Sequence, residues 1–206
     1  MKTEQEYIDD LSEIRSMMER STKFLSLSGF SGVMAGIYAL LGAFIAYRLL
    51  KLEFTTTTDY AVIIPAEELL PVFLVALTVL LLAVGTAAFL SYKKARRKNE
   101  KVWNPVAKKL AMNMAIPLFT GGIFILILIS KGLFAFVAPL TLIFYGLALI
   151  NASKFTFEEL RSLGMAQIIL GLIGSCFPGL GLLFWAIGFG IMHIAYGIYM
   201  HLKYEK

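Results

Sequence analysis

The nineteen residues from Ser28 to Ala46, SGFSGVMAGIYALLGAFIA, constrain this chain more than any other stretch. Gly29, Gly32, Gly36, Ala39, Ala43 and Ala46 recur at alternating steps of three and four, which puts them on one stripe of a helix. The other faces carry Leu, Ile, Phe and Tyr, and no charge occurs before Arg48. In water such a helix would expose apolar surface on most sides. In a bilayer that surface faces lipid, and the small stripe lets a second helix approach closely. The stretch reads as a membrane span whose small face is a packing seam.

Composition extends this reading to the whole chain. A soluble domain is about 45–50% apolar and about 25% charged, whereas these 206 residues are 58% apolar and 16% charged. Several apolar runs reach the roughly 17–25 residues that cross a bilayer. Six spans are expected, at about 25–50, 67–92, 108–130, 132–150, 157–177 and 180–202. The expected fold is therefore an all-α, polytopic transmembrane helix bundle (25–206), preceded by an N-terminal cytoplasmic amphipathic helix (1–24). The opening residues are charged, with no short apolar run closed by a cleavage site, so no cleavable signal peptide is expected.

Local signals place the elements. Thr3 and Glu6 fit a capping box, and Tyr7, Leu11, Ile14 and Met18 form one apolar face. With no Pro or Gly before Gly29, that helix is expected to run on into the first span, as one rod from Thr3 to Leu50. The second span opens with Glu67 and Glu68, suited to a first turn, and its even apolar body is expected to be the most lipid-exposed. Pro117 should bend the third span. Ser130-Lys131-Gly132 should close a tight antiparallel hairpin, with Pro139 about two turns into the fourth span. Phe155, Thr156, Glu159 and Leu160 fit a staple around a capping box for the fifth. Cys176-Phe-Pro-Gly breaks the chain before the sixth, leaving open a re-entrant hairpin in place of two full crossings.

The net charge of +5 is local: eight of nineteen Lys and Arg lie in 93–109, read as a basic cytoplasmic loop. With both termini inside, sixteen basic residues face the cytoplasm against three (Arg48, Lys51 and Lys131) outside, which sets orientation. Anionic lipid is the expected partner of the 93–109 loop; nucleic acid is not, since no reader fold is recognisable. The N-terminal segment, with six acids and four bases up to Phe24, could dock on that loop or pair with a second copy.

Chemistry-bearing residues are sparse. No Asp, Glu, Lys or Arg falls in the middle of a span, which argues against ion pumps and proton-coupled carriers. His193 is the exception, sharing a face with Ala186, Gly190 and Gly197. It reads either as a proton-responsive or ligand-contacting group or as a neutral imidazole bonded across a helix pair. Gln167 is its obvious partner; Asn113, Tyr145 and Tyr38 are further candidates for an intramembrane polar site. The packing seam comprises Gly29, Gly32, Gly36, Ala39, Ala43, Gly164, Gly171 and Gly190. The spacing of Gly164, Gln167, Gly171 and Gly174 echoes that of Gly29, Gly32, Gly36 and Ala39. His193 and His201 are eight apart without a carboxylate or cysteine at ligand spacing, so no metal is expected. No catalytic residue or cofactor is expected either: the single Cys176 reads as a small hydrophobe, and Ser175 has no base near it in sequence.

The stretches IRSMMERS (from Ile14) and KFLSLSGFSGVMAGIYALLGAFIAY (from Lys23) resemble uncharacterised bacterial inner-membrane proteins of about this length. That resemblance implies an inner-membrane location; it carries no known activity and no site residues to transfer. The expected role is an accessory, sensory or assembly subunit that acts through helix packing and contact with a second copy or a partner membrane protein. The competing class is a small-solute channel or carrier with its polar site around His193.

Overall fold

A computed structural model describes residues 23–24, 28–50, 66–97 and 103–205. Among them the chain is all-helical, with six helices in order: α1 (Gly29–Leu49), α2 (Ala66–Arg97), α3 (Pro105–Ser130), α4 (Val137–Ser153), α5 (Glu159–Ser175) and α6 (Pro178–Tyr204). Five are long and apolar enough to cross a membrane, α4 when taken with the 3₁₀ turn before it (Phe134–Ser153, 20 residues); α5, with 17 residues, falls short. At 1.5 Å per residue it spans roughly 25 Å against a hydrocarbon core of about 30 Å. The other five make this a membrane-helix bundle.

Start and stop signals explain most boundaries. Asn104 caps α3 by accepting the Ala107 N–H at 2.7 Å, and Pro105 takes the first helical position, where its missing N–H costs nothing. The α3–α4 turn is a Schellman motif: the Leu133 N–H reaches Leu128 O and the Gly132 N–H reaches Ile129 O. It requires Gly132 at φ +74°, where a side chain would be strained. A single 3₁₀ turn (Phe134–Phe136) precedes α4, so Pro139 lies in that helix's first turn and not two turns inside it. α3 runs unbroken through Pro117.

Three other expectations are corrected. The continuous rod from Thr3 to Leu50 does not form: Phe24 is non-helical, and Ser28 is extended at φ −96°, ψ 130°. The Phe24 N–H donates to Phe155 O at 2.7 Å, and Phe24 O accepts from Thr156 Oγ1 at 2.6 Å. Those bonds tie the lead-in to the α4–α5 connection and leave its backbone unavailable to a helix. They also remove Thr156 from the expected capping box, and α5 starts at Glu159 without a side-chain cap. Most of the supposed 93–109 loop is helical, because α2 continues to Arg97 and α3 starts at Pro105. The amphipathic helix of 1–24 and its docking lie outside the described residues, Lys23 and Phe24 excepted.

Helix packing follows glycine. Antiparallel α1 and α6 meet backbone to backbone: a Cβ on Gly29 would stand 2.5 Å from His201 N, and one on Gly36 2.6 Å from Gly190 O. Antiparallel α4 and α5 meet likewise, a Cβ on Gly146 falling 2.6 Å from Gly164 O and one on Gly171 2.7 Å from Pro139 O. α2 lies on the far side of α1, with Val79 filling the notch at Gly42, and α3 lies on α4, with Phe144 filling the notch at Gly121. No residue in the most apolar window of α2 is buried, as its even composition predicts. Phe24, Ala107, Leu110, Leu149, Ala152, Phe157, Leu160, Leu163 and Met200 close the end of the bundle that carries the basic residues.

Candidate functional site

The two glycine-seamed pairs, α1–α6 and α4–α5, are joined at the middle of α6. There the helix changes from α to π over Ala186–Met192 before resuming at His193. A π turn inserts an extra residue and re-aims the backbone carbonyls, a feature often found at functional positions. Two side chains converge on one such carbonyl. Gln167 Nε2 of α5 donates to Gly188 O at 2.7 Å, and His193 Nδ1 lies 2.9 Å from the same oxygen. Tyr145 of α4 reaches the other imidazole nitrogen, its Oη 2.9 Å from His193 Nε2.

Hydrogen-bond chemistry sets the tautomer. A carbonyl oxygen only accepts, so His193 Nδ1 carries a proton. In the neutral ring Nε2 is then an acceptor, and Tyr145 donates to it. Phe189 stacks on the imidazole at a centroid distance of 5.7 Å and meets the Tyr145 ring at 4.9 Å, with Trp185 beyond it at 5.0 Å.

Packing leaves little room in this cluster. Gln167 and Leu142 are fully buried, and His193 is 6% exposed. A Cβ on Gly188 would stand 2.5 Å from both Gln167 Oε1 and Leu142 Cδ2, so glycine is required for the α5 amide to come this near α6. Among the described residues, two buried polar atoms, Gln167 Oε1 and Tyr196 Oη, have no hydrogen-bond partner.

The sequence candidates separate cleanly. His193, Gln167 and Tyr145 come together. Asn113 does not join them: its amide donates to Lys109 O on an exposed face of α3. Tyr38 pairs with Thr86 between α1 and α2 at 3.4 Å. Of the seam residues, Gly29, Gly32, Gly36 and Gly190 lie at the α1–α6 contact, Gly164 and Gly171 at the α4–α5 contact, and Ala39 and Ala43 are buried on α1. The echoed spacing in α1 and α5 serves different neighbours, since Gln167 turns to α6 while Gly164 and Gly171 face α4. Cys176 is exposed and Ser175 bonds Gly171 O, both away from His193. Among the described residues no group of three or more His, Cys, Asp or Glu is placed to hold a metal.

Gly188, Leu142, Tyr196 and Glu205 escaped the sequence reading. Gly188 had one faint signal, its place five residues before His193 in a glycine pair. Glu205 has a structural role at the basic end. Its Oε1 accepts the Gly29 N–H at 3.0 Å and Lys94 Nζ at 2.8 Å, and its Oε2 pairs with His201 Nδ1 at 2.6 Å. It thereby caps α1, whose own N-cap Ser28 makes no side-chain cap bond, and ties α2 to α6. Burial pushes the Glu205 carboxyl up, but these three donors outweigh it and hold the group at about 2. Beside it, Lys203 and Tyr204 bond Glu159, and Lys23 pairs with Glu158 at 2.7 Å. Comparison of the chain with family models, with curated proteins and with solved structures finds no match.

Proposed function

We propose that this chain is a multi-pass protein of the bacterial inner membrane, with both termini cytoplasmic. In this reading it acts as an accessory, sensory or assembly subunit through helix packing and contact with a second copy or a partner membrane protein, and not as an enzyme. One observation carries the reading: both nitrogens of the single intramembrane imidazole are engaged by Tyr145 and Gly188 of the same chain. His193 therefore presents no free donor or acceptor to a solute; its bond to Tyr145 joins α4 to α6, and the bond from Gln167 to Gly188 O joins α5 to α6. Among the exposed apolar surfaces open to a partner are the outward faces of α2 and α3, where Leu81 is 63% and Phe119 73% exposed. A photo-reactive residue at Leu81 or Phe119, installed in cells, should give discrete protein adducts. Adducts to lipid alone would refute partner contact there.

The carrier reading keeps one supporting observation. Among the described residues Gln167 Oε1, beside the π turn, and Tyr196 Oη are buried without hydrogen-bond partners, as groups that receive a polar solute would be. Solute flux in reconstituted vesicles that disappears in His193→Ala, with the fold intact, would establish it in place of the first.

A further inference from the structure

The cations at the end of α2 fall on two faces. Lys94 points inward to Glu205, beside the buried Ser91 and the fully buried Ala95. Phe89, Tyr92, Lys93, Arg96 and Arg97, at steps of three, one, three and one, line the opposite face along an open surface depression of about 320 Å³. Arg96 lies over the Tyr92 ring at 5.5 Å, which holds the guanidinium against the helix. Among the described residues no carboxylate pairs with Lys93, Arg96 or Arg97. Toward the membrane the same face continues through Gly85, where a Cβ would meet nothing within 4 Å, and through Leu82, 47% exposed.

We infer that this face of α2 is a binding site for an anionic phospholipid, its phosphate held by Lys93, Arg96 and Arg97 and an acyl chain lying over Phe89, Gly85 and Leu82. Three cations without a carboxylate partner among the described residues, within two helical turns, supply the charge complementarity for a phosphate-bearing headgroup. The apolar continuation of the same face distinguishes a lipid from free phosphate, since a small anion has no use for it. Arg96, fixed over Tyr92, presents its fork for bidentate phosphate contact. The inference rests on the membrane reading of α2, which membrane fractionation checks separately from lipid preference.

Lipid spin-label spectroscopy on the full chain in phosphatidylcholine bilayers tests it. Wild type should prefer spin-labelled phosphatidylglycerol over spin-labelled phosphatidylcholine. Each cation near a surface is worth about fivefold, so Lys93→Gln/Arg96→Gln/Arg97→Gln should lower the preference by at least about tenfold after screening. Lys108→Gln/Lys109→Gln should leave most of it. Inorganic phosphate at matched ionic strength should not displace the labelled lipid; displacement would assign the site to a free anion and overturn the proposal. An unchanged preference in the triple variant would overturn it too. Should that variant fail to assemble, a photo-reactive phosphatidylglycerol on wild type decides: adducts should map to the segment from Leu82 to Arg97, and adducts only elsewhere would refute the site.

Discussion

Two alanine substitutions in glycine positions of one protein should change stability in opposite directions. A Cβ at Gly36 of α1 would stand 2.6 Å from Gly190 O and Ile194 Cγ1 and 3.0 Å from Ile194 N. Ordinary contact for such an atom begins near 3.4 Å. Two of the three neighbours belong to a backbone, so α1 and α6 must separate, and overpacking of this kind costs about 1–3 kcal/mol. At Gly85, on the exposed face of α2, the same atom meets nothing within 4 Å. Alanine gains about 1 kcal/mol of helix propensity over glycine at either site. Gly85→Ala should therefore stabilise by up to about 1 kcal/mol, and Gly36→Ala should destabilise by up to about 2 kcal/mol. The propensity gain is common to both, so their difference isolates the helix contact. Gly32→Ala, whose nearest atom would be Gly197 Cα at 3.2 Å, should fall between them. Reversible unfolding of the full chain in mixed micelles, titrated with a denaturing detergent, measures all three. A Gly36→Ala protein as stable as Gly85→Ala would refute the assignment of the stripe to the α1–α6 contact.

Other expectations follow from the polar groups. A double-mutant cycle of Tyr145→Phe and His193→Phe should return a coupling near 0.6 kcal/mol and no more than about 1.7, the range for hydrogen bonds between membrane helices; zero coupling would mean the bond does not form. Glu205→Gln should cost on the order of 1–2 kcal/mol at neutral pH, discounted for partial exposure. Because the folded carboxyl sits at about 2 against an ordinary 4.5, that contribution is complete above about pH 4.5 and fades as pH falls toward 2. Wild type and variant should converge there in acid unfolding, and a constant gap would contradict the role of the carboxylate. For topology, Lys131→Cys in a Cys176→Ser background should react with an impermeant maleimide in intact cells. Labelling only after lysis would reverse the proposed orientation.

Membrane-span content and packing chemistry were legible in the chain because both are local. A run of about twenty apolar residues satisfies its own backbone as a helix wherever it lies in the bilayer, and a glycine at steps of three or four marks a close approach whatever the neighbour is. Gly132 at the tight turn, Asn104-Pro105 at the head of α3 and Glu67–Glu68 in the first turn of α2 are equally local. The Thr3–Leu50 rod failed for the opposite reason. Nothing near Phe24 in sequence forbids a helix there; what stops it is a pair of hydrogen bonds to Phe155 and Thr156, more than 130 positions away.

By itself, then, the sequence determined that the chain forms helices apolar enough to cross a membrane, the rough extent of most of them among the described residues, and which faces carry small residues. Tertiary structure alone decided what those faces meet: the Gly29–Gly36 stripe belongs to α6, and the similarly spaced stripe of α5 to α4. It also decided that His193 and Gln167 share one carbonyl, with Tyr145 on the other imidazole nitrogen, while Asn113 faces outward. Spacing along a helix gives the direction of a side chain but not the partner in that direction. The partner depends on how two helix pairs are joined, and here that join is made at the π turn around Gly188.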